Sequence, residues 1–188
     1  MTAPTLDLSF PRLWQAEVLA ARPLILPSRH FVYPRNAEEV ERGALEVLVR
    51  PEGAEPFLAT CALGFRDPAA PTGLWSTPEP EKICAVSGGY AYIIDTTAPE
   101  RFTMIACRPV LEVRPVVAES LLLFTGHRSI LAWGRGGQAW ESEKLSDEGL
   151  TIVAVEGGIL HGMGWEMLSG KETPFALDLR TGTRLTPG

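Results

Sequence analysis

The chain has 188 residues, of which 45% are hydrophobic and 21% charged, with a net charge of −6. That length suits one domain able to bury a core without disulfides or metals, and the composition excludes global disorder. The acidic balance, without any run of Lys and Arg, argues against a phosphate-backbone binder and against docking on anionic lipid.

Residues 1–7 offer neither a basic start nor a following apolar stretch, so no secretory leader is expected. No apolar run reaches the roughly 20 residues that a membrane-spanning helix needs. A cytoplasmic protein of bacterial type is the expectation. The first forty residues are punctuated by Pro4, Pro11, Pro23, Pro27 and Pro34. Between them, residues 13–19 fit a short helix or a strand equally well. Residues 36–42 carry the clearest helix signal. Asn36 accepts from an N-terminal backbone N–H, Glu39 completes a capping-box spacing, and Gly43 ends the helix after about two turns. Residues 1–43 therefore read as a Pro-rich segment with one short helix, within a single β-rich domain spanning 1–188.

Strands follow. Residues 44–49 alternate in part, Pro51-Glu52-Gly53 reads as a turn, and residues 57–65 form a second apolar strand. Residues 66–80 contain Pro68, Pro71, Pro78 and Pro80, which predicts neither a helix nor a central strand. Loops of that length are often functional. Further strands are predicted at 83–86 and 90–95 around Ser87-Gly88-Gly89, then at 102–106, 110–114 and 121–125. Residues 129–133 and 138–141 flank Gly134-Arg135-Gly136-Gly137. Residues 151–155 and 159–162 flank Glu156-Gly157-Gly158, and residues 175–179 and 183–185 flank Arg180-Thr181-Gly182. Glycine supplies the positive φ that such turns require. The pattern is all-β with little helix: antiparallel hairpins packed as a sandwich or barrel, with a small propeller-like arrangement as the alternative.

Residues 129–140 and 174–185 share one hairpin pattern, with Ala132 and Ala176 44 residues apart. Ala91 precedes Ala132 by 41 residues, and Ala44 precedes Ala91 by 47. A period of about 40–50 is that of a propeller blade, although like hairpins also arise by chance in antiparallel β proteins. The stretch from Ala132 to Trp140 resembles the outer hairpin of quinoprotein-type propeller blades, with Ala, a turn Gly and Trp at the expected offsets. The likeness covers the C-terminal half and lacks the several regular blades of a complete ring. Residues 140–150, followed by Asp178-Leu179-Arg180-Thr181-Gly182, resemble uncharacterised bacterial proteins of similar size. That implies a coherent fold, with no assigned activity and no quinone site.

Motifs for chemistry are scarce. Gly134-Arg135-Gly136-Gly137 lacks the spacing and following helix of a dinucleotide loop, and Gly170-Lys171-Glu172 lacks the Ser or Thr of a phosphate loop. There is no G-x-S-x-G elbow and no calcium loop. Cys61, Cys84 and Cys107 include no C-x-x-C and read as core residues of a reducing compartment. Of His30, His127 and His161, none has metal-ligand spacing, and no cofactor or metal is expected. His161 stands out within Leu160-His161-Gly162-Met163-Gly164-Trp165-Glu166. Its glycines would let a ligand approach the backbone, and Trp165 offers a stacking face. The plainer reading is a solvated side chain at a strand end. Glu141, Glu143, Asp147 and Glu148 with Lys144 read as a solvated acidic face. Trp133 and Trp140 read as packing that meets across strands, whereas Trp75 shares the Pro-rich loop with Arg66 and Asp67.

The reading is a binding or protein-interaction module without intrinsic catalysis, its partner an unknown protein or small ligand. Arg66, Asp67 and Trp75 form the first candidate surface; His161, Trp165 and Glu166 form the second. No nucleic-acid or membrane partner is expected. Two alternatives stand beside it. One is a small hydrolase or lyase pairing His161 with a carboxylate from another strand. The other is an acidic partner protein that neutralises a basic one.

Overall fold

The structure is a computed structural model and describes residues 3–35, 40, 42–65 and 69–186. Its strands are β1 (Thr5–Asp7), β2 (Trp14–Leu19), β3 (His30–Tyr33), β4 (Ala44–Pro51), β5 (Phe57–Ala62) and β6 (Gly73–Ser76). There follow β7 (Lys82–Ser87), β8 (Tyr90–Asp95), β9 (Phe102–Met104), β10 (Glu112–Val116) and β11 (Leu121–Thr125). The chain continues through β12 (Ile130–Gly134), β13 (Gly137–Glu141), β14 (Leu150–Glu156), β15 (Ile159–Glu166) and β16 (Lys171–Asp178). Among the described residues there is no α-helix.

These strands make four sheets. The first has the order β2-β4-β5-β3, the second β1-β6-β7-β8-β9, the third β10-β11-β12-β13 and the fourth β14-β15-β16. Side chains alternate across each strand, so every sheet sorts its residues onto two faces. Leu45, Val47, Val49 and Phe57 of the first sheet meet Leu74, Ile83, Ala85 and Ile94 of the second. On its opposite face the second sheet sends Trp75, Cys84, Val86 and Ile93 against Leu122, Phe124, Leu131 and Trp133 of the third. The third sheet's other face carries Leu123, Ala132 and Trp140 onto Ile152, Leu160, Phe175 and Leu177 of the fourth. The result is a sandwich-type stack in which no sheet closes into a barrel. Burial on both faces explains why residues 83–86 of β7 and 121–124 of β11 are apolar in succession instead of alternating.

Ala91, Ala132 and Ala176 occupy the third strands of the β6–β9, β10–β13 and β14–β16 meanders. The sequence period over this stretch therefore marks equivalent strands. Ala44, on β4, falls outside the series because the first sheet has a different strand order.

Several local expectations are resolved, corrected or fall outside the described residues. Residues 13–19, equally readable as helix or strand, contain β2. The Pro-punctuated N-terminal segment supplies β1 and β3, and both pair in parallel, β1 with β6 and β3 with β5. The predicted helix at 36–42 falls largely on residues 36–39 and 41, outside the described residues. The Pro-rich stretch 66–80 contains β6, which lies between β1 and β7. Pro71 and Pro78 bracket β6 without entering it, so its backbone N–H donors remain available. Gly73 is required there, because a Cβ would lie 2.1 Å from the Thr5 carbonyl oxygen. Trp133 and Trp140 pack in different clusters on opposite faces of the third sheet and do not meet. A register shift between Ala132 and Trp133 instead pairs Trp140 with Ala132.

Candidate functional site

The first candidate surface divides. Arg66 and Asp67 lie outside the described residues. Trp75 is only 3% exposed and sits in the cluster between the second and third sheets. As placed, it is a core residue and offers no recognition face. The Pro-rich composition around it conceals a buried strand.

The second candidate surface is the outer face of the fourth sheet. β15 extends to Glu166, so His161 lies within a strand, paired between Ala154 and Ala176, rather than at a turn. His161 is exposed, and among the described residues its side chain makes no hydrogen bond or ion pair. Among the described residues no carboxylate lies within ion-pair distance of this imidazole. Gly162 and Gly164 do not open the strand to a ligand. A Cβ on Gly162 would stand 2.3 Å from the Phe175 ring, and one on Gly164 would stand 2.4 Å from the Leu145 carbonyl oxygen. Those glycines admit the protein's own core.

The opposite face of β15 carries His161, Met163 and Trp165 outward. Trp165 is 40% exposed, Val153 on β14 63%, and the β15–β16 tip presents Met167 at 68% and Leu168 at 98%. The tip is held rather than loose. The Met167 N–H donates to Asp147 Oδ2 at 2.7 Å, and the Asp147 N–H donates to the Trp165 carbonyl at 2.8 Å. Ser146 Oγ lies 2.7 Å from the Gly149 carbonyl oxygen and 3.0 Å from that of Trp165. Lys144 pairs with Asp147. The Lys144 ammonium, followed by the Met167 N–H, holds the Asp147 carboxyl below the usual carboxylate range. The acidic stretch thus clamps the hairpin, in addition to presenting the exposed Glu143 and Glu148. Glu166 is exposed where it pairs with Lys171.

A polar network on the first sheet had no motif to announce it. Glu46 of β4 and Thr60 of β5 are cross-strand partners, both buried. Arg22 Nε lies 2.8 Å from Glu46 Oε1, and Thr60 Oγ1 donates to Glu46 Oε2. His30 Nε2 lies 2.8 Å from Thr60 Oγ1. Thr60 has one hydroxyl hydrogen, and the carboxylate takes it, so His30 must donate through Nε2–H. The lone pair then resides on Nδ1. Burial, with the nearby Arg22 cation second, lowers the His30 pKa, partly offset by Glu46. The available sequence signal was slight: two polar residues interrupting apolar runs at one level of adjacent strands.

His30 lines an open cleft of about 290 Å³ that runs along β3 to Arg35 and is walled by Pro99 and Glu100. Tyr33 Oη donates to the Pro99 carbonyl at 2.7 Å, and Arg35 Nη2 donates to that of Glu100 at 2.7 Å. Between β2 and β3, Leu24 and Ile25 project fully into solvent, a second apolar feature. All three cysteines are buried free thiols. No group of His, Cys, Asp and Glu among the described residues is arranged to hold a metal ion.

Fold and surface together define a class: an all-β sheet stack whose terminal sheet carries an exposed apolar hairpin. No protein-family model matches the chain, and a search of curated proteins finds no match.

Proposed function

We propose that the protein is an interaction module that docks another protein on the outer face of its fourth sheet, centred on the β15–β16 tip. One observation carries this reading: Trp165, Met167 and Leu168 are exposed side by side in sequence on a hairpin anchored by Asp147 and Ser146. Large apolar side chains clustered at the surface favour association, whereas scattered ones need no explanation. Anchoring reduces the ordering cost of binding. The faces that carry Ala91 and Ala132 in equivalent strands are covered by the next sheet, and the face carrying Ala176 is not.

The rim gives the partner a chemistry. Glu148, Glu166 and Glu172 flank the tip against Lys171 and Arg128, all exposed. An apolar segment flanked by Lys or Arg complements such a surface, and added salt should weaken its capture. This favours the acidic partner of a basic protein over a hydrolase using His161.

The test is affinity capture from extract of the producing cells. A Met167→Asp, Leu168→Asp double variant should lose a discrete partner that the wild type and a Leu24→Ser, Ile25→Ser variant both retain. Identical captured sets from all three proteins would refute the proposal.

A further inference from the structure

The cleft beside β3 lies on a different sheet from the docking hairpin and rests on separate observations. Among the described residues β3 is the last strand of the first sheet, and its strand partner there is β5. The Leu58 N–H donates to the Arg29 carbonyl at 3.0 Å, so Arg29, Phe31 and Tyr33 turn their backbone groups toward β5. By alternation, His30 and Val32 turn theirs toward the open edge. That edge forms one wall of the cleft, and the carbonyls of Pro99 and Glu100, tied back by Tyr33 and Arg35, fix the other.

We propose that this cleft receives the C-terminal end of an extended peptide, running parallel to β3, with its terminal carboxylate on Arg35. Three features select that occupant. Outward backbone groups at His30 and Val32 repeat at the two-residue spacing that an added strand matches. A volume of about 290 Å³ admits only a short segment, so backbone pairing alone gives few hydrogen bonds and an end charge must add affinity. Arg35 supplies it: the guanidinium has five N–H donors, and the Glu100 carbonyl is the partner it has here. Arg22 is neutralised by Glu46 of the same sheet. Arg35 is thus the cationic side chain of a cleft whose other charged lining residue is Glu100.

The buried network completes the site. Glu46 and Thr60 orient the imidazole so that Nδ1 is an acceptor for an N–H of the bound segment. His30 and Arg35 thus address opposite ends of the same short peptide.

The experiment uses N-acetyl-trialanine and its C-terminal amide as probes, titrated into the full chain and followed by amide NMR. The acid should shift the His30, Val32 and Tyr33 signals saturably, and the amide should bind about tenfold more weakly because the charge-assisted pair is lost. Arg35→Ala, an exposed substitution, should equalise the two probes, with spectral changes confined to β3 and the Pro99–Glu100 wall that Arg35 ties back. Absence of saturable shifts along β3, or equal binding of acid and amide to the wild type, would overturn the proposal. The hairpin variants tested for protein docking should bind the acid normally, so either proposal can fail without the other.

Discussion

Replacing Trp75 by Ala separates core from recognition surface at the position where sequence composition is most misleading. Trp75 is 3% exposed between the second and third sheets, among Cys84, Val86, Ile93 and Leu122. A Trp side chain removes about 200 Å² from water, which at about 25 cal/mol per Å² amounts to about 5 kcal/mol. Residual burial in the denatured chain and partial collapse of the cavity bring the expected loss to about 3–5 kcal/mol. With a urea slope of about 2 kcal/mol per M, the unfolding midpoint should fall by about 2 M. Equilibrium urea unfolding, followed by far-ultraviolet circular dichroism, reads this directly. A midpoint within about 0.5 M of wild type, below the shift expected for a core aromatic, would show that Trp75 does not hold the two sheets together.

Three further outcomes follow from buried groups. Burial pushes the Cys61 and Cys84 thiols well above the ordinary value of 9.0 and Cys107 up to about 11. A folded pKa above the unfolded one gives stability that is intact below the unfolded pKa and lost as pH rises. Cys84→Ala should accordingly lose about 1 kcal/mol less than wild type between pH 8 and pH 10, measured by urea unfolding at both values; equal losses would contradict burial of that thiol. The His30 ring should titrate below its ordinary 6.5 in NMR, and Arg22→Ala should raise its midpoint, since the Arg22 cation acts with burial to depress it. A midpoint at or above 6.5 in the wild type would remove the basis for a neutral imidazole in the cleft. Gly162→Ala forces a Cβ to 2.3 Å from the Phe175 ring, and overpacking of that kind costs about 1–3 kcal/mol in thermal or urea unfolding. An unchanged stability would mean that the Phe175 ring does not lie over Gly162 on the neighbouring strand as described.

The hairpins were legible because glycine turns punctuate short apolar strands. Gly88, Gly89, Gly157 and Gly158 all adopt positive φ at the reversals expected for them. The relationship among Ala91, Ala132 and Ala176 was legible too, because each stands on the third strand of a successive meander. What stayed hidden depended on long-range pairing. β1 and β3 acquire their partners from β6 and β5, far along the chain, and no local pattern encodes a parallel edge pair. Trp75 was misread because prolines on both sides of a four-residue strand look, in one dimension, like a continuous loop. Glycines near His161 looked like ligand space, yet the space belongs to Phe175 and Leu145. The apolar tip was only half visible: Trp165 and Glu166 lie in the glycine-rich stretch around His161, whereas Met167 and Leu168 belong to no motif and join Trp165 only through their exposure. Glu46, Thr60 and His30 come from three strands, and only their register brings them into one network.

The docking proposal is tested most directly by placing a photo-crosslinking amino acid at position 168 in living producer cells, with position 24 as the exposed apolar control. Irradiation at 168 should yield a discrete covalent adduct with one protein, diminished by Glu166→Lys and absent at position 24. No adduct at 168, or the same adducts at both positions, would contradict an interaction surface on the β15–β16 hairpin.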